Sequence, residues 1–287
     1  VIADRAALFV DTVYNGYWRY GSIELILATV LFAVQIYCDF SSYSLIAVGA
    51  ARVMGIRLME NFDTPYFARS VKEFWRRWHV SLSSWFRDYL YIPLGGSRCS
   101  KLCCYRNIMI TFLVSGLWHG ASWNFVVWGG LHGAYQVIGD RLRPVKMRLE
   151  DRLKIKRDCF SYKLGQVLTT FGLVNAAWVF FRAASLKEAI SILGRIVTRW
   201  NPWVLSDQSL YRLGLDVTEV HILAISLLVL FLVDRMKYKT GKTLGLLLRE
   251  QLLWFRWLVL FTLLFGIIIY GIYGPAFSAA AFIYFQF

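Results

Sequence analysis

The sequence predicts an all-α fold, a polytopic transmembrane helix bundle completed by interfacial helices and by broken, re-entrant ones. Three observations predict it. The composition over 287 residues is 57% hydrophobic, 17% aromatic and only 17% charged, with a mean hydropathy of +0.49. Asn107 to Gly139 is a run of 33 residues without a single Asp, Glu, Lys or Arg. The basic residues behind the net charge of +14 fall in short segments between apolar runs rather than in one stripe. Since about 20 apolar residues at about 1.5 Å rise cross the hydrocarbon core, the uncharged run is too long for one ordinary span and predicts two pieces meeting near its glycines.

Val1-Ile2-Ala3-Asp4-Arg5 is neither a basic leader nor the apolar core of one, and no initiator Met precedes it, so the expectation is a chain that starts mid-protein. Leu25 to Tyr37 is an apolar run that continues past Asp39 to Gly49, enough for a spanning helix with a turn at Asp39-Phe40-Ser41-Ser42. From Phe67 to Tyr91, Trp75, Trp78, His79, Leu82, Trp85, Phe86 and Tyr89 recur at helical spacing opposite Arg76, Arg77, Ser84, Arg87 and Asp88. That pattern predicts an amphipathic helix or helix pair at the interface or plugging the bundle, ended by Pro93 and Gly95-Gly96. Arg141 to Lys163 carries nine Lys or Arg against three acids and reads as a basic loop, with a short spanning candidate, Gly165 to Phe181, after it. Ala184 to Asp216 is an amphipathic connector, Val220 to Val233 a further span, and Arg235 to Arg249 a second basic loop. Trp257 to Phe287 is free of charge, but Gly274-Pro275 divides it into a span and a short aromatic tail. The whole is one membrane domain, residues 1–287, of about six spans. The positive-inside rule places both basic segments of this multi-pass protein in the cytosol.

The charge argues against a nucleic-acid partner, because no basic stripe is interleaved with aromatics; the cations are orientation charges and lipid-headgroup contacts. Five cysteines show no secreted framework, and Cys99, Cys103 and Cys104 in a basic segment read as reduced thiols. No His joins them at ligand spacing, so no metal site is expected. His119, in Ser115-Gly116-Leu117-Trp118-His119-Gly120, falls at the predicted break, at membrane depth. Irregular backbone survives there only where protein covers it or where it lines a wet cavity, and an ionisable group at such a place is a functional candidate by default.

Asp39-Phe40-Ser41-Ser42-Tyr43-Ser44, Glu60-Asn61-Phe62, Phe74-Trp75-Arg76-Arg77-Trp78-His79-Val80-Ser81-Leu82, Trp85-Phe86-Arg87-Asp88-Tyr89, Pro93-Leu94-Gly95-Gly96 and Gly116-Leu117-Trp118-His119-Gly120 occur in that order. In these motifs the chain resembles the membrane-bound O-acyltransferase family, most closely its bacterial branch that contains the alginate O-acetyltransferase membrane subunit. The resemblance begins partway through the family's pattern, which implies that several N-terminal spanning helices are missing here. Ser42 and Leu45 depart from the branch's usual Gly and Asp and bear on the substrate more than on the chemistry.

The resemblance implies transfer of an acyl group, usually acetyl, from a cytosolic thioester donor such as acetyl-CoA to a hydroxyl on the other side, with no bound cofactor. The acceptor is an extracytoplasmic polysaccharide or a partner acetyltransferase, and His119 is the catalytic residue. A neutral imidazole within hydrogen-bond reach takes the proton of an attacking hydroxyl, an effect worth about 10²–10⁴-fold. Trp118 or the backbone N–H groups of the break are candidates to hold the developing oxyanion. By the same resemblance His79 is a second functional histidine, lining the reaction tunnel or assisting proton transfer, where the plain reading is a satisfied core histidine. Asp39 caps a helix or lines the tunnel. Arg76, Arg77, Arg87 and Asp88 grip donor phosphates or form a solvated, headgroup-facing surface, and Asn124 is a further tunnel candidate. His132 and His221 match no motif and read as structural. A transporter with a midplane histidine is the alternative function, disfavoured because only one half shows a broken segment. A haem protein lacks the second pair of histidines.

Overall fold

The computed structural model describes residues 1–273, and among them every regular element is helical. The expected aromatic tail, Phe282 to Phe287, lies outside the described residues. The chain divides into two compact units, one of Val1–Tyr43 with the segment from Arg195 onward, the other Ser44–Gly194. Among the described residues, four helices are long and apolar enough to cross a membrane: α2 (Ser22–Val53), α7 (Phe160–Arg182), α9 (Val217–Thr240) and α11 (Leu253–Tyr270).

In the first unit, α1 (Ile2–Asn15) buries Ala6, Phe9, Val10 and Val13, while Leu25, Ala28, Phe32 and Ile36 form the buried stripe of α2. The Tyr14 hydroxyl and Thr29 Oγ1 are 3.0 Å apart in that core. The start of α2 is held by Asn201, whose Oδ1 accepts from Ile23 N at 3.1 Å while its Nδ2 donates to Glu24 at 2.6 Å. α11 buries none of its residues, as a helix that is apolar all round from Trp257 onward does when lipid is its solvent. The expected turn at Asp39 does not form. α2 runs through it unbroken, because Ser42 turns its hydroxyl back onto the Asp39 carbonyl at 3.1 Å and needs no break to satisfy it. Asp39 therefore caps no helix.

In the second unit, α3 (Val71–Arg77) and α4 (Val80–Phe86) are the expected amphipathic pair, followed by a π-helical turn over Arg87–Tyr91. The uncharged run is two pieces, α5 (Lys101–His119) and α6 (Trp123–Arg152), broken at residues 120–122. Their uncharged parts, Asn107–His119 and Trp123–Gly139, are each shorter than the roughly 20 residues of a full span. α5 and α6 pack backbone to backbone because Gly116 and Gly129 carry no side chain. A Cβ on Gly116 would lie 2.9 Å from the Phe125 carbonyl carbon, and one on Gly129 3.1 Å from that of Phe112.

Both basic segments differ from the loops expected of them. α6 continues through Arg141 to Arg152, and α9 through to Thr240 before a short α10 (Leu244–Arg249), with α8 (Leu186–Thr198) between α7 and α9. Straight-chain charged residues are good helix formers, and Lys146 and Glu150 sit one turn apart at 3.7 Å. Glu150 gathers Tyr162 Oη at 2.5 Å and Arg157 Nε at 2.8 Å, which tie the end of α6 to the start of α7 and hold its carboxyl below the usual range. Charge excess thus marked solvent-facing helix ends as readily as loops.

Candidate active site

His119 is the last residue of α5, and its ring is enclosed by aromatics of the second unit. Ring centroids lie 5.0 Å away at Trp118, 5.1 Å at Trp128, 5.2 Å at Phe181 and 6.4 Å at Phe125. α6 supplies Trp128 and Phe125, and α7 supplies Phe181. Asn124 fixes that arrangement: nearly buried, it donates from Nδ2 to the Ala183 carbonyl at 2.6 Å and so binds the first turn of α6 to the end of α7. That bond joins the two helices that wall the His119 ring.

His79 stands at the junction of α3 and α4 with φ +46° and ψ 54°, the left-handed region that a non-glycine residue adopts at a cost of about 1–3 kcal/mol. A loop residue stabilises it. Asn61 accepts from Val80 N through its carbonyl at 3.1 Å and from Ser81 N through Oδ1 at 3.0 Å, replacing the cap that His79 does not provide. Asn61 in turn donates to Ser44 Oγ at 3.2 Å. Trp78, stacked on Phe74 at 5.4 Å and tilted on Trp178 at 5.3 Å, anchors the other side of the junction. The buried His79 imidazole is drawn down to about 3, first by burial and then by His119. Trp118 touches both histidines, with His79 at 6.4 Å. The structure thus brings His119, Trp118 and His79 together, with Asn124 behind them.

The other expected site residues have partners of their own. Arg77 is engaged by Glu73 at 3.0 Å and Asp63 at 3.2 Å, tying the 61–64 loop to α3. Arg87 and Asp88 pair with each other at 2.7 Å on an exposed surface. Asp39 belongs to the first unit. The single amphipathic face expected of 67–91 is also corrected: Trp85 and Tyr89 are exposed and tilted on each other at 5.3 Å. The left-handed residue at 79 and the π-helical turn shift the helical phase, so side chains spaced for one face end on two.

Beside these residues the second unit contains a cleft of about 700 Å³, whose lining includes the cations Lys72, Arg76, Arg87 and Lys101 and the apolar Trp75, Val80, Leu82, Phe86 and Phe112. Ser115, one turn before His119, reaches its wall. Trp75 is fixed by donating its indole N–H to His132 Nδ1 at 3.1 Å. His132 is fully buried, on α6 rather than on the helix of His119. Sequence reasoning missed Asn61, Trp128, Phe181 and the cations Lys72 and Lys101. Asn61 alone carried a signal, its place in Glu60-Asn61-Phe62; the others owe their roles to contacts between helices.

Residues 3–185 match the membrane-bound O-acyltransferase family. Over 200 residues the chain is 37% identical to a peptidoglycan O-acetyltransferase of Helicobacter pylori, covering 69% of this chain and 36% of that protein. It is 38% identical over 206 residues to a probable alginate O-acetylase of Azotobacter vinelandii, covering 72% and 37%. A teichoic acid D-alanyltransferase of Streptococcus thermophilus is 34% identical over 164 residues, covering 53% and 39%. The chain therefore spans less than half the length of the curated relatives it matches. The motifs, the broken α5–α6 pair and the histidines that meet around Trp118 have a common origin: the chain belongs to the membrane-bound O-acyltransferase family.

Proposed function

We propose that the chain carries the reacting centre of a bacterial inner-membrane O-acetyltransferase, with His119 as general base. The acceptor hydroxyl gives its proton to His119 as its oxygen attacks the thioester carbonyl. The tetrahedral adduct collapses with cleavage of the C–S bond, and the proton passes from His119 to the departing thiolate, leaving an O-ester and a free thiol. The observation that supports this most is the place of His119 itself, at the end of a broken helix inside an aromatic wall, with a strained second histidine across Trp118. Strained, non-glycine left-handed residues cluster at reacting centres.

The cleft suits a thioester donor such as acetyl-CoA. Lys72, Arg76, Arg87 and Lys101 supply charge for phosphates, and the apolar residues of the lining accommodate an acyl-bearing arm. The acceptor is a hydroxyl of an extracytoplasmic polysaccharide or of a partner acetyltransferase, as the names of the alginate and peptidoglycan relatives suggest.

The test is His119→Gln in the full-length protein. Gln keeps a hydrogen bond and much of the volume but cannot accept and release a proton near neutral pH. Insertion and elution in detergent should be unchanged, while transfer of labelled acetyl falls by about 10²–10⁴-fold. Wild-type turnover by this variant defeats the general-base assignment. Failure of the unaltered protein to attach labelled acetyl covalently to any acceptor defeats acyl transfer itself and favours transport.

A further inference from the structure

Three thiols meet where the turn after the π-helical segment enters α5. Cys99 Sγ lies 3.7 Å from Cys104 Sγ, and Cys104 Sγ is also 3.7 Å from the Cys99 carbonyl. The Cys99 thiol donates to the Gly96 carbonyl at 3.6 Å, an acceptor it shares with the fully buried Asn107, whose Nδ2 is 3.2 Å away. Cys103 has further partners of its own: Arg106 Nη2 donates to its sulfur at 3.4 Å, and Asn107 Nδ2 lies 3.7 Å from it and 3.8 Å from Cys99 Sγ. Ser100 caps α5 by accepting from Cys103 N at 3.3 Å, so Cys99 stands outside the helix and Cys104 inside its first turn. Cys104 lines the cleft, which gives small solutes a route to it.

A disulfide needs sulfurs about 2.0 Å apart, so closing this pair takes a movement of about 1.7 Å, within reach of a side-chain rotation on Cys99, whose χ1 no preceding helical turn restricts. We propose that Cys99 and Cys104 are a reversible oxidation site, closed to a disulfide by an oxidant of the peroxide class. Hydrogen peroxide first converts the Cys104 thiol to a sulfenic acid, its O–O bond breaking and one water leaving. The Cys99 sulfur then attacks the Cys104 sulfur. The S–S bond forms, the S–O bond breaks, and hydroxide departs with the Cys99 proton as a second water. The thiol pair loses two electrons and the peroxide gains them; a dithiol reductase reverses the change by exchange. The bond fastens the turn carrying Ser97 to the first turn of α5 and so fixes one rim of the cleft. The oxidation itself stands apart from the proposed acyl chemistry.

The experiment uses the full-length protein in detergent, exposed to hydrogen peroxide, alkylated and cut with trypsin after Arg98, Lys101 and Arg106. That digestion separates Cys99-Ser100-Lys101 from Leu102-Cys103-Cys104-Tyr105-Arg106. The expected product is the two peptides joined with the loss of two hydrogens, released by dithiothreitol. Cys103→Ser should retain the joined product, and Cys99→Ser and Cys104→Ser should each lose it. Absence of joined peptides after peroxide overturns the proposal, and so does a joined product that survives Cys104→Ser.

Discussion

Gly116→Ala tests how tightly the chemistry depends on helix packing. A Cβ at this position would lie 2.9 Å from the Phe125 carbonyl carbon, closer still to its oxygen, and 3.3 Å from Val126 Cα. These are backbone atoms of α6 and cannot rotate away. Restoring ordinary contact of about 3.5 Å requires the two helices to part by about 1 Å near the break. Overpacking of this kind costs about 1–3 kcal/mol. Gly116 is one turn before His119 and packs against the segment that carries Phe125 and Trp128, two of the walls of the His119 ring. A shift of about 1 Å at a reacting centre lowers rates by about 10²-fold. The control is Gly139→Ala, on the same α6, where an added Cβ meets nothing within 4 Å. Acetyl transfer and thermal unfolding of the full-length variants in detergent would be compared. Gly116→Ala should stay inserted, unfold at lower temperature and lose about two orders of magnitude in turnover, with Gly139→Ala close to wild type. If both variants turn over at the wild-type rate, the close α5–α6 approach does not set the position of His119.

Stability should fall as the pH drops below 6.5. The His79 imidazole is neutral in the folded protein down to about 3, whereas the unfolded chain takes up a proton from 6.5 downward. The share of the stability that His79 contributes is therefore fully present above pH 6.5 and declines, by at most about 1.4 kcal/mol per pH unit, until the folded state also protonates near 3. His79→Asn, which tolerates the left-handed backbone and does not titrate, should make the fall of the denaturation midpoint over that window shallower; an unchanged slope would contradict it. Asn61→Ala leaves the Ser81 N–H without its 3.0 Å acceptor and should cost about 1–2 kcal/mol, while Asn61→Asp keeps the acceptor and most of the stability in chemical denaturation. Arg77→Ala should destabilise the protein by about 1–3 kcal/mol, because two carboxylates and the 61–64 loop lose their partner. Arg87→Ala removes only an exposed pair and should leave the unfolding midpoint close to wild type while raising the KM for a phosphate-bearing donor. Equal effects of the two substitutions on unfolding would defeat that distinction.

The order of the amino acids was enough to establish the class of the protein and the place of its central histidine. A run of 33 uncharged residues interrupted by Ser115-Gly116-Leu117-Trp118-His119-Gly120 admits few readings, because backbone in lipid must satisfy its own hydrogen bonds and break only where it is covered. The α3–α4 pair was legible for a related reason: aromatic and basic residues alternating at helical spacing leave one face to bury. Local spacing failed where the backbone departs from a uniform helix. Trp85 and Tyr89 kept the period of the buried face yet lie outside, because the left-handed His79 turns the chain before both of them and Tyr89 lies within the π-helical turn itself. Charge failed as a sign of loops for Arg141 to Arg152, since lysines and arginines cost a helix nothing where it emerges into water. It took the packing of the elements to make Arg77 a tie to Asp63, to let Asn61 cap α4 from a loop, and to close Trp128 and Phe181 around His119. Those relations join residues from 9 to 62 positions apart in sequence. No local periodicity records them, because they arise when helices and loops approach closely enough for side chains on different elements to share one space.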